Sequence, residues 1–192
     1  MTSLLDDLRI AGGESRCDLF ENAATGVQRG VFWSFRIDFE EVVFDDESWL
    51  ASLEVEWLTW QLRDWKELGR CTLTNVERPE LVESSVYLGG RHQSFQLSEL
   101  SLEYLGKAEF LLRVLGIFSL VTPDDRQHGP ARHAFQAKLP FLGAIVVPSN
   151  LAPKPSKDVE ATRALNAFLD TATFEPPRWD KFRFVFSPKD AA

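Results

Sequence analysis

From Val31 onward the chain alternates: Val31, Trp33, Phe35, Ile37 and Phe39 share one parity, and Phe32, Ser34, Arg36, Asp38 and Glu40 the other. A period of two sends successive side chains to opposite faces, so this run predicts a half-buried strand. Val42, Val43 and Phe44 continue it past a kink, up to an acidic turn at Asp45, Asp46 and Glu47. Ahead of it, Leu4, Leu5 and Leu8 predict a short helix. The glycines from Gly12 to Gly30 show little periodicity and predict that residues 1–30 are otherwise irregular.

Residues 48–68 carry two patterns. Leu50, Leu53, Trp57 and Trp60 recur at helical spacing, with Asp46 placed to cap and Gly69 to terminate. Leu53, Val55 and Trp57 also alternate with Glu54 and Glu56, and Leu58, Trp60 and Leu62 repeat the alternation on the other parity. Alternation of β-branched and aromatic residues with acids favours strands, and a bulge accounts for the change of parity.

Further strands are predicted over residues 71–76 and 82–88, the latter ending at Gly89-Gly90. Residues 97–105 and 109–121 read as a long hairpin about Gly106-Lys107. In its second arm Phe110, Leu112, Val114 and Phe118 occupy one face and Leu111, Leu115 and Ile117 the other, which places the arm centrally. A polar loop over 123–130 precedes apolar stretches at 133–139 and 143–147.

A proline-rich connector over 148–156 leads to a helix over 157–172, capped by Ser156 and striped by Ala161, Leu165, Phe168 and Ala172. A last strand places Phe182, Phe184 and Phe186 on one face. The expected architecture is α+β, a single domain over 1–192 dominated by a curved antiparallel sheet or partial β-barrel with the C-terminal helix packed on it.

Charge changes this picture more than composition does. Residues 1–60 hold 13 acids and 4 bases, whereas residues 61–192 hold 16 acids and 17 bases, so the net charge of -8 resides in the first third. Negative charge and the lack of a basic stripe disfavour nucleic acid as a partner and favour a basic protein. The longest apolar runs fall short of the ~20 residues that span a bilayer, and the N-terminus has acids where a signal peptide carries bases. The expectation is a soluble, cytoplasmic chain with no membrane association and with Cys17 and Cys71 reduced. Cys17 is expected in an accessible loop and Cys71 buried in a strand.

No metal-ligand spacing, phosphate-cradling loop or nucleophile elbow is present, so no metal, cofactor or catalytic residue is assigned. His128 and His133 are spaced so that their rings diverge on a strand. Arg91 and His92 beside Gly89-Gly90 form a candidate anion site.

The leading functional expectation is a non-enzymatic binding protein of inhibitor or toxin-immunity character, by analogy of composition. Its partner-binding residues would be Asp38, Glu40, Glu41, Asp45, Asp46 and Glu47 with Trp60 and Trp65. The alternatives are a small apolar ligand held in a curved-sheet pocket lined by Trp33, Phe35, Trp57 and Phe118, and a hydrolase or transferase using His92.

Overall fold

The computed structural model describes residues 8–44, 46–74, 82–121 and 127–189. The chain is mostly β, built on a strongly curled, half-barrel sheet with few helices. Its strands are β1 (Ile10–Asn22), β2 (Val27–Phe39), β5 (Ala51–Leu58), β6 (Thr72–Thr74), β7 (Glu83–Leu88), β8 (Arg91–Ser94), β9 (Gln96–Gly106), β10 (Glu109–Val121) and β11 (Gln127–Val146), with β12 (Arg178–Asp180) and β13 (Arg183–Phe186) beside β11. The order across the sheet is β6-β9-β10-β11-β1-β2-β5-β7-β8. Among the described residues all pairings are antiparallel except β1 with β11, the first strand against the last long one. A separate hairpin joins β3 (Val42–Phe44) and β4 (Glu47–Trp49).

β2 behaves as its alternation requires: Val31, Trp33, Phe35, Ile37 and Phe39 are all buried on the concave face. The expected bulge lies in β5. Trp33 pairs with Leu58 and Phe35 with Val55, so β5 spends one extra residue there, and Trp57 takes a φ of 64°. That left-handed residue turns Leu58 inward beside Leu53 and Val55 and leaves Trp57 on the convex face against Phe20 and Phe32, at ring separations of 5.1 and 5.3 Å.

The β9–β10 hairpin forms as predicted, with β10 central between β9 and β11. β11 changes partner along its length, pairing with β10 up to Pro140 and with β1 and β13 beyond it. Gly143 makes the change possible: its φ is 112°, and a Cβ there would run into the Phe186 carbonyl.

Several expectations are corrected. Residues 1–30 are not irregular, since β1 and the start of β2 occupy most of them, and the predicted helix at 4–8 lies almost wholly outside the described residues. The inward positions of β1 are Ser15, Cys17 and Leu19, two of them small, so the alternation is faint. Cys17 is therefore fully buried, and Cys71 is the half-buried one, at the end of a short helix. Residues 127–130 belong to β11 rather than to a loop.

The C-terminal helix α1 (Asp158–Asn166) is shorter than expected. Its N-cap is Lys157, while Ser156 bonds to the Glu160 carboxylate through both its N–H and its hydroxyl. Phe184 and Phe186 enter the core, but Phe182 is 59% exposed in the turn before β13.

Trp65 needs the largest correction. Polar residues around Trp60 and Trp65 suggest that at least one of the two rings stays partly exposed; Trp60 does, but Trp65, assigned to the partner-binding surface, is fully buried. A 3-10 helix over Trp65–Arg70 repeats every third residue, so Trp65 and Leu68 face inward together. Asp64 starts it with a capping box, accepting from the Lys66 N–H at 3.0 Å while the Glu67 carboxylate takes the Arg63 and Asp64 N–H groups. The helix plugs the sheet, with Trp65 stacked on Phe141 at 5.2 Å and edge-on to Tyr104 and Phe110. Removing such a side chain costs on the order of 3–5 kcal/mol, the signature of a core residue.

Candidate functional site

The acidic residues gather at one end of β2. Glu40 and Glu41 follow the strand, and the β3–β4 hairpin carries Asp46 at its tip, with φ 64°, and Glu47 beside it. Asp45 lies outside the described residues. Glu40, Glu41, Asp46 and Glu47 are all exposed, and Ser48 donates to Glu41 at 2.5 Å. Asp38 differs, because it lies on the convex face of β2 and holds Arg36 at 2.6 Å.

The base of the hairpin is firmly seated. Val42 is buried, the Glu40 N–H bonds to the Arg9 carbonyl at 2.7 Å, and the Gly89 N–H bonds to the Leu50 carbonyl at 2.9 Å. Trp49 lies so close over Gly89 that a Cβ there would overlap its ring. Two apolar residues stay outside this packing, Val43 at 68% and Leu50 at 74% exposure. Single exposed aliphatics are common, but one within and one just after a run of acids have the composition of an interface core and its rim.

The tryptophans do not join the acids. Trp65 is in the core, and Trp60 sits beside Trp33, whose indole N–H donates to the Trp60 carbonyl at 3.1 Å. Six residues of β2, about 20 Å, separate Trp33 from the acidic end at Phe39. The sequence places these groups in one stretch, and the strand then carries them to opposite ends.

The pocket expected from Trp33, Phe35, Trp57 and Phe118 does not form. Three of these side chains are packed into the core, and Trp57 is on the convex face. Arg91 and His92 begin β8 after the Gly89-Gly90 turn, both exposed. His92 Nε2 lies 2.6 Å from the hydroxyl of Ser85, and its ring is 5.3 Å from Tyr87. Ser85 is only 4% exposed, so this hydroxyl does not face solvent as a nucleophile requires.

The thiols are muted. Burial pushes Cys17 well up, and burial followed by the nearby Glu67 pushes Cys71 up to about 11. His133 lies against Phe118 and Phe135, while the side chain of His128 lies outside the described residues. Among the described residues no group of three or more His, Cys, Asp or Glu is placed to hold a metal ion, and no helix is long and apolar enough to cross a membrane.

Charged side chains wall a cleft on the convex face and a larger groove beside β2. The cleft, about 230 Å³, lies between Glu14, Arg16, Arg36, Glu54 and Glu56. Its charges answer one another, with Arg36 on Asp38 and Glu54, and Arg16 on Glu14 and Asp18. Within it the Glu56 carboxyl is held above the usual range, by burial first and then by Glu54 and Glu83.

A larger groove, about 700 Å³, runs between the first half of β2, residues 59–63 and the end of α1, and continues past Arg163 toward Pro153 and Lys154. Nothing in the sequence flags it, because its walls come from three segments distant along the chain. No protein-family model matches the chain, and no curated protein or solved structure is detectably similar to it.

Proposed function

We propose that this chain is a binding protein whose acidic β3–β4 hairpin recognises a basic protein partner, in the manner of small acidic inhibitors and immunity proteins. The observation that carries the reading is the exposure of Val43 within, and of Leu50 just after, the acids Glu40, Glu41, Asp46 and Glu47, at a hairpin whose base is fixed. Like charges held together cost stability and speed encounter with an opposite charge, while exposed aliphatics gain only when covered. Trp60 and Trp65 take no part in this surface.

The test is comparative co-purification from the native cell at low and at high salt. The full chain is set against a charge-neutral hairpin (E40Q, E41Q, D46N, E47Q) and against V43S with L50S. A basic protein that is retained by the wild type at low salt, released as salt rises and lost by both variants supports the reading. A partner that both variants keep overturns it.

A further inference from the structure

β2 is paired unequally along its two edges. Against β1 it is paired from Val27 to Phe39, but β5 reaches it only from Trp33 onward, because the chain turns inward after Leu58 and places Trp60 under Trp33. Among the described residues no strand pairs with Val27–Phe32 on that side, and these six residues form one wall of the 700 Å³ groove. In an antiparallel pair every second residue directs its N–H and C=O away from the partner, so the groove wall presents unpaired backbone donors and acceptors along about 20 Å, interrupted by the bulge that sets Val27 to Gly30 against Phe20 to Asn22. Such an edge is a template for one more strand.

The side chains around it select by charge. Arg63, Lys154 and Arg163 are exposed on the walls of the groove and its continuation. Arg29 is fixed in place by Glu21 at 2.8 and 2.9 Å, and Glu160 is engaged by Ser156. Arg63 also caps α1, donating to the carbonyls of Asn166 and Ala167 at 3.4 and 3.3 Å, so it is rigidly held. The floor is apolar, with Trp60, Leu62 and Phe168 half-buried. On a chain of net charge -8, this groove gathers cations.

We infer that the Val27–Phe32 edge of β2 receives an extended acidic peptide segment of a partner protein as an added strand. Backbone hydrogen bonds to the edge supply affinity, apolar side chains of one parity rest on Trp60 and Phe168, and acidic side chains of the other parity meet Arg163 and Lys154. A small anionic amphiphile would satisfy the cations and the apolar floor but leave the backbone edge unpaired. This inference does not rest on the acidic hairpin, which lies at the other end of β2.

The test selects a phage-displayed library of random ten-residue peptides on the immobilised full chain. The best binder is then measured by fluorescence anisotropy and mapped through the backbone amide signals of the protein. The expected result is enrichment of peptides that alternate acids with apolar residues, amide shifts over Val27–Phe32, residues 59–63 and the groove wall at Lys154, Arg163 and Phe168, and exchange protection confined to Val27–Phe32. Charge reversal at K154E with R163E should weaken binding at least tenfold without altering the melting temperature. N-methylation of alternate peptide amides on the pairing edge should weaken it as much, with the protein left intact. No enrichment, a basic consensus, equal binding by the N-methylated peptide, or shifts located elsewhere would each overturn the inference, and tighter binding of decanoate or decyl phosphate than of any peptide would assign the groove to an amphiphile instead.

Discussion

The side chain of Gln93 pairs with the backbone of Val121 as a peptide group would: Nε2 donates to the Val121 carbonyl at 3.1 Å, and Oε1 accepts the Val121 N–H at 2.7 Å. Gln93 points inward from β8, an edge strand, and so stitches it to the end of β10 where no ladder joins them. Gln93→Ala leaves two backbone groups without partners in a part-buried site, which costs about 1–3 kcal/mol. Gln93→Asn, one methylene shorter, should recover little of it. Urea unfolding with an unchanged m-value checks this, and a loss below about 0.5 kcal/mol would mean that water replaces the stitch.

The seat of the acidic hairpin gives a second prediction. Gly89 has a φ of 56° and lies under the Trp49 ring, so Gly89→Ala adds both a left-handed strain of about 1–2 kcal/mol and an overlap with the indole. In a Trp49→Ala background only the strain remains. The double-mutant cycle should therefore show coupling of about 1 kcal/mol or more, measured by thermal or urea unfolding. Additive effects would place the indole away from Gly89 in solution.

How much of this was legible follows from where each signal resides. β2 was legible because apolar and polar residues alternate along it, β7 and the β9–β10 hairpin because apolar runs end at Gly89-Gly90 and flank Gly106-Lys107, and the bulge in β5 because the parity visibly changes. β1 was not, since Ser15 and Cys17 fill inward positions that a pattern reader expects to be large and apolar. Trp65 misled because its neighbours in sequence are polar, whereas its neighbours in space are Phe141, Tyr104 and Phe110. The acidic hairpin announced itself as a charge run. The groove gave no sign, being an edge left open by where β5 ends, and a strand's missing partner is written nowhere in its own residues.

Glu56 sets a pH-dependent prediction. Burial, then Glu54 and Glu83, hold its carboxyl above the ordinary range near ~4.3, so folding favours the protonated form. Its contribution to stability is complete below the unfolded-state value and is lost as pH rises through the folded-state value. Glu56→Gln should thus raise the melting temperature at pH 7, and the gain should vanish at about pH 4. Equal gains at both pH values would trace the effect to packing rather than to charge.

Trp57 separates backbone strain from side-chain packing. A bulky residue at φ 64° is an outlier, held by the bulge in β5 and by contact with Phe20 and Phe32 on the convex face. Trp57→Ala removes the ring contacts but keeps the strain, because alanine pays the same Cβ penalty in the left-handed region. Trp57→Gly removes both, and although glycine gains more freedom in the unfolded chain, relief of the strain outweighs that term. Trp57→Gly should therefore unfold at higher urea than Trp57→Ala, by about 1 kcal/mol, with both below the wild type by the value of the aromatic contacts. The order would reverse if residue 57 were an ordinary extended strand position, and the bulge that turns Leu58 into the core would then be absent.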